Sequence, residues 1–144
     1  MASFTATNLR DVFQEAIDRF NGANNGGVAD YDSLGQLFDG TVQMAEVDAP
    51  GKMHTNKSAV VSYLKNYQAS KQPRFKAPQN GWNLAGENST TGIITGSGQY
   101  QDKSPQGKEP PTDFQDVLYS FVFGRTDNTK PWLLQLGFAS LVKQ

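Results

Sequence analysis

The sequence predicts an α+β fold in which three N-terminal helices pack inside a strongly curved, mainly antiparallel sheet. Three observations lead to it. Apolar residues recur at helical steps of three and four in three separate stretches before residue 68. From residue 74 onward the spacing changes to the alternation of strands, broken by turn-forming residues. Gly92, Gly96 and Gly98 then share one face of a single long strand, where missing side chains permit sharp curvature or the close approach of another backbone. Helices that arrive first have to bury their apolar stripes on one face of the sheet that follows. A long sheet with bends and glycines curls around them, which makes a cone with an apolar interior, open at one end.

Each element has its own signal. Leu9, Val12, Phe13, Ala16, Ile17 and Phe20 form the first helical stripe. Thr7 or Asn8 caps its start, Asn21-Gly22 suits its end, and the polar run Asn21–Gly27 is a loop. Tyr31, Leu34, Leu37 and Phe38 form a shorter second stripe with Asp30 as its cap, and Asp39-Gly40 is expected to break it. Thr41–Val47 is a strand whose alternation puts Val42, Met44, Glu46 and Asp48 on one face, and Asp48-Ala-Pro-Gly51 turns the chain. Asn56 caps a third helix with Ala59, Val60, Tyr63, Leu64 and Tyr67 on its apolar face; Gln68–Gln72 beyond it is polar and exposed. Four strand regions follow: Arg74–Leu84 with a bend at Asn80-Gly81, Thr90–Gln101, Phe114–Thr126 and Trp132–Val142. Glu87-Asn88-Ser89 reads as a hairpin turn. Lys103–Thr112 contains three prolines and serves as a lid or a connector. No internal repeat or second domain is visible, so residues 1–144 read as one domain.

Composition narrows the function classes. The chain has 144 residues and a net charge of −1, with 19% charged residues. A phosphate-backbone binder would show a basic excess or stripe, so no nucleic-acid partner is expected. There is no cysteine, which removes disulfides, thiolate metal sites and a cysteine nucleophile together. With one histidine as well, neither a metal nor a cofactor is expected. The first residues have no basic region followed by an apolar run, and no stretch has the length of a membrane span. A cytoplasmic protein without a membrane partner is the expectation. Gly96-Ser97-Gly98 has no following lysine and opens no helix, so it is not a phosphate loop.

A resemblance joins these pieces. A helix running into Leu-Phe-Asp-Gly, the strand Thr-Val-Gln-Met-Ala-Glu-Val, a Pro-Gly turn, the helix Asn-Lys-Ser-Ala-Val-Val-Ser-Tyr-Leu and long hairpins ending in Trp-Leu-Leu-Gln-Leu-Gly-Phe-Ala-Ser follow one another in order. The chain resembles the NTF2-like superfamily, and within it the SnoaL-like branch, over nearly its whole length. The resemblance implies a cystatin-like α+β cone that binds small, mostly apolar molecules and pairs as a homodimer through the outer face of its sheet. The superfamily includes enzymes such as ketosteroid isomerase, polyketide cyclases, scytalone dehydratase and limonene epoxide hydrolase. It also includes non-catalytic dimerisation modules, so the fold does not decide the function.

Carried over residue by residue, the enzyme patterns match in part. The isomerase base falls near Asp48, with a gapless match on Met44. Its helix-one tyrosine falls on Ala16, and its second oxyanion donor at or near Tyr119. Loss of one such donor typically costs about 2.7–4 kcal/mol, so steroid isomerase activity is not expected. The hydrolase trio finds only Arg125 and Asp127, beside the turn at Thr126–Pro131. The final strand offers Gln135 and Ser140 where the cyclases carry an acid, and the dehydratase needs paired histidines.

The residues themselves suggest a site. Glu46 or Asp48 in an apolar cone would act as a base with a raised pKa, and His54 would pair with Asp48 to orient it or shuttle its proton. Tyr119 shares a strand face with Val117, Phe121 and Phe123 and supplies a polar handle to an aromatic wall. The catalytic candidates are therefore Asp48, Tyr119, Glu46 and His54. Val12, Phe13, Ala16, Met44, Tyr63, Trp82, Tyr100, Phe121 and Phe123 are the candidates for ligand contact. Phe114, Leu118 and Val122 point to the opposite face, so the strand needs a cover on both sides. Three functions stay open: a binding protein for a small hydrophobic molecule, an isomerase, lyase or cyclase with a pocket carboxylate as base, and a dimerisation module. A filled interior favours the module, a void with a buried carboxylate the enzyme, and a void without titratable groups binding alone.

Overall fold

The computed structural model describes residues 8–23, 25–46, 51–71, 73–77, 82–102 and 114–141; for 68–71, 82, 85, 102 and 141 it describes the backbone. Helix α1 (Leu9–Asn21) starts at Asn8, whose Oδ1 accepts from the Arg10 amide at 2.8 Å, and ends on Gly22 at φ 69°. A side chain there would be strained and would also strike the Val28 backbone, so Gly22 both caps the helix and lets the loop fold back. Leu9, Val12, Phe13 and Ile17 are buried along one face. Arg19 is buried too; its guanidinium donates to the Ser33 carbonyl at 2.7 Å and pairs with Glu15 at 2.9 Å, which ties α1 to α2 (Tyr31–Gly35). Asp30 caps α2 through the Ser33 amide, as its position predicts.

The second helical stripe is shorter than its apolar residues suggest. Phe38 does not continue the helix but opens strand β1 (Phe38–Ala45), and Asp39-Gly40 lies inside that strand instead of breaking a helix. Tertiary pairing overrides the local pattern here: the Leu134 amide donates to the Leu37 carbonyl at 2.7 Å, and Phe38 lies opposite Leu134. The register slips between Phe38 and Gln43, where the Asp39 carboxylate accepts from the Thr41 amide and hydroxyl.

The stretch around His54, between the expected turn and the cap of the third helix, is a strand, β2 (Met53–Thr55). It pairs antiparallel with β1, with Met44 opposite His54. Helix α3 (Lys57–Lys71) follows Asn56, whose Oδ1 accepts from the Ala59 amide, and its backbone runs on through residues 68–71. The single strand expected over Arg74–Leu84 is two, β3 (Pro73–Lys76) and β4 (Trp82–Glu87). Both pair with β5 (Thr91–Asp102), β3 over residues 99–102 and β4 over 92–96, so the long strand carries two short partners in succession. The expected bend at Asn80-Gly81, the loop Lys103–Thr112 and the Thr7 cap lie outside the described residues. Asn88 turns β4 into β5 by accepting from the Thr90 and Thr91 amides. Strands β6 (Gln115–Gly124) and β7 (Leu133–Leu141) complete the sheet.

The sheet order is β2-β1-β7-β6-β5-β3, with β4 also on β5; β1–β7 is parallel and the other pairs are antiparallel. It is strongly curved and mixed, with the helices at its concave face, as predicted. Val117, Tyr119 and Phe123 on β6 and Ile94 and Tyr100 on β5 are buried with the apolar stripe of α1. Gly98 sits where β3 comes closest: a β-carbon there would lie 2.4 Å from the Lys76 carbonyl oxygen. Asn21 fastens α1 to β3, donating to the Phe75 carbonyl at 2.6 Å and accepting from its amide at 2.8 Å. Trp132 is buried beneath the Arg125 guanidinium, 4.0 Å from its ring centroid. Among the described residues no helix is long and apolar enough to cross a membrane.

Candidate functional site

The concave side encloses a cavity of about 130 Å³. Each wall comes from a different element. The α1 stripe supplies Phe13, Ala16, Ile17 and Phe20; β1 supplies Met44 and α3 supplies Tyr63, Leu64 and Tyr67. Phe75, Tyr100, Phe121, Phe123, Leu134 and Ala139 close the sheet side. Phe13 holds the centre, with its ring 5.4 Å from Phe121 and 6.4 Å from Phe123. Met44, Tyr63, Tyr67, Phe121 and Ala139 are only half-buried and mark the open side, while Phe13, Leu34 and Phe123 form the floor. Among the described residues no acidic or basic side chain lines the cavity, and the polar groups in the described wall are the phenols of Tyr63, Tyr67 and Tyr100.

Of the residues predicted to contact a ligand, Phe13, Ala16, Met44, Tyr63, Tyr100, Phe121 and Phe123 line the cavity. Val12 is buried in the core but is not part of the lining, and the Trp82 side chain lies outside the described residues. Tyr119 does not line the cavity. Its ring is packed behind the wall, 5.5 Å from both Phe75 and Phe121 and 5.8 Å from Phe13. Its hydroxyl is buried without a hydrogen-bond partner among the described residues, and burial pushes the phenol pKa up to about 12. Tyr31, packed edge-on against Phe20, shows the same condition; burial raises its pKa further, against a smaller opposing effect of Arg74.

The carboxylate and the imidazole meet in a way the sequence reading does not anticipate. Asp48, expected to pair with His54, lies outside the described residues. Among the described residues Glu46 is the partner of His54: Glu46 Oε2 is 2.9 Å from His54 Nε2. The β1–β2 register explains this. Met44 faces His54 across the ladder, and the Glu46 amide closes the hairpin on the Lys52 carbonyl at 3.0 Å. Glu46 and His54 are therefore diagonal neighbours on the same sheet face as Met44, within reach of a long side chain. The imidazole stacks on Tyr63, with centroids 4.4 Å apart and planes 10° from parallel. Tyr63 lines the cavity and His54 does not, so Tyr63 connects the Glu46–His54 contact to the wall.

The sequence reading leaves out Tyr67, Phe75, Phe20 and Leu134 as site residues. Tyr67 had a visible signal, since it lies four residues after Tyr63 on the same helix face. Phe75 had none, because its place in the wall depends on the pairing of β3 with β5 and on the Asn21 bridge.

The α+β fold of this chain recurs among solved structures. A provisionally assigned calcium/calmodulin-dependent protein kinase II association domain from Xanthomonas campestris is 12% identical, with a TM-score of 0.72 over 99% of this chain and 91% of that one. A provisionally assigned dehydratase from the NTF2-like family of Streptomyces avermitilis is 18% identical, with a TM-score of 0.69 over 94% and 97%. An uncharacterised protein with a cystatin-like fold from Caulobacter vibrioides is 9% identical, with a TM-score of 0.68 over 93% and 89%. No protein-family model and no curated protein matches the sequence. The fold is the NTF2-like, cystatin-like cone that the order of elements in the sequence predicts.

Proposed function

We propose that the protein binds a small hydrophobic molecule in the cone. The observation that carries this reading is the lining: a cavity of about 130 Å³ whose described wall is apolar and aromatic, with no charged side chain among the described residues. A dry apolar cavity of about 150 Å³ is known to accept benzene, so the space matches a single aromatic ring. A polycyclic ligand would have to protrude past Met44 and Tyr63. Phenols in the wall supply the few polar contacts that orient a ligand in an otherwise apolar site. The neighbour named as a dehydratase adds no residue-level support, because its likeness is one of fold.

The test is a thermal-shift titration with toluene, indole and a steroid. Toluene and indole are expected to raise the melting temperature and the steroid to raise it less. Ala16→Phe, which places a ring in the cavity from α1, is expected to keep the fold and abolish the shift. Equal shifts in wild type and Ala16→Phe would place the ligand elsewhere and sink the reading.

We also infer that a second copy of the chain covers the convex face. Leu118 is 58% exposed and Phe138 38% exposed, and the strand register groups them with the partly exposed Ile93, Val122 and Leu136. An isologous pairing of this face would remove them from water.

A further inference from the structure

We propose that Met44 sets the length of the ligand: a flat molecule of two fused aromatic rings binds with its second ring over Gly137, in the place of the Met44 side chain. The ligand class is then an uncharged, fused two-ring aromatic. This inference rests on the binding reading above and deepens it.

A glycine inside a strand marks a place where another group comes close to the backbone. Gly137 on β7 lies opposite Met44 of β1 and opposite Phe121 of β6. A β-carbon there would lie 3.1 Å from Met44 Cε and 3.3 Å from Phe121 Cε1, so both side chains lean over the same bare backbone. Other glycines of the sheet receive groups that do not line the cavity: Gly92 takes Leu9 Cδ2, and Gly124 takes the Gln135 amide. Gly137 is the one glycine among the described lining residues, and Met44 and Phe121 line the cavity with it.

The two sides of the opening differ in stiffness. Tyr63 is stacked on His54 with centroids 4.4 Å apart, His54 is held by Glu46 at 2.9 Å, and Tyr67 packs against Tyr63 at 5.7 Å. Met44 is half-buried and unbranched, and its three rotatable bonds let it turn toward solvent while the backbone of β1 stays in its ladder. A ligand too long for about 130 Å³ therefore displaces Met44 before it displaces Tyr63. A ring in the vacated place meets peptide backbone with no side chain beneath it and Phe121 beside it. That surface suits a planar group, and no charged side chain among the described lining residues would hold an ionic substituent.

The probes are indole, with two fused rings, and toluene, with one. Their dissociation constants are measured by calorimetry for wild type, Met44→Ala, Gly137→Ala and Tyr63→Leu, and the quantity read is the preference for indole over toluene. One methylene in an apolar pocket changes affinity by about tenfold or more. Met44→Ala clears the second ring's place and is expected to raise the preference at least about tenfold. Gly137→Ala puts a methyl group on the floor of that place and is expected to lower the preference at least about tenfold. Tyr63→Leu is expected to change it less than Met44→Ala does. Equal preferences in wild type and Met44→Ala, or a larger gain from Tyr63→Leu than from Met44→Ala, would overturn the placement and leave the cavity reading standing, provided that wild type binds toluene. If Gly137→Ala does not fold, the comparison of Met44→Ala with Tyr63→Leu decides. Failure of both probes to bind wild type would overturn both readings.

Discussion

Tyr119 carries a buried hydroxyl with no hydrogen-bond partner among the described residues. An unpaired buried hydroxyl costs roughly 1–3 kcal/mol, so Tyr119→Phe is expected to leave stability unchanged or raise it by up to about 1 kcal/mol in urea unfolding. A loss larger than that would show that the oxygen is bonded in the protein. The same residue sets a response to alkali. Below the ordinary phenol pKa of about 10, folded and unfolded chains both keep the proton. Between there and about 12 the unfolded chain releases it and the folded one does not, so stability falls as pH rises across that window. Tyr119→Phe should make this fall shallower, and Tyr31, whose pKa is raised further, should account for part of what remains. Denaturation midpoints between pH 8 and 11.5 measure the difference. At this scale the sequence identified the residue types of the site well and their partners poorly. Glu46 and His54 both stood out as candidates, yet their pairing follows from a ladder of three residue pairs that a Pro-Gly turn conceals.

The elements that local chemistry defines are the ones that match expectation. Helix α1 has a full stripe, an Asn cap and a glycine stop, and it forms where they predict. The short elements depart from expectation, because three to five residues carry too few periods to tell strand from helix. Strands β2 and β3 exist because a longer strand offers them a ladder. The close seat of β3 gives a direct test of how the wall is built. Gly98→Ala puts a methyl group against the Lys76 carbonyl, which is backbone and cannot rotate away. A destabilisation on the order of 1–3 kcal/mol is expected from such overpacking, with β3 pushed off β5. Since β3 carries Phe75, the toluene-induced thermal shift should fall along with the melting temperature. A stable Gly98→Ala protein with normal toluene binding would show that β3 is free to move.

Taken whole, the molecule is a sheet with two apolar faces of unequal fate. The concave face is filled by α1 and α3 except for the cavity, and the convex face exposes Leu118. Covering that face with a second copy predicts a dimer by sedimentation velocity, and Leu118→Glu should shift the population to monomer. The charge would face solvent in the monomer, so little change in monomer stability is expected. A wild-type monomer at high concentration would show that no second copy covers the face. Dimer dissociation without loss of toluene binding would separate assembly from the site.

Composition and periodicity alone decided the class of fold, the helical plug, the long apolar strands and the aromatic character of the interior. Those properties rest on spacing along the chain, which local geometry converts directly into faces. Only the tertiary structure decided that Tyr119 stands behind the wall, that Glu46 meets His54, and how large the cavity is. These depend on register, where a shift of one residue reverses every side chain, and on how far a curved sheet closes over its helices. Neither quantity is written in the spacing of apolar residues.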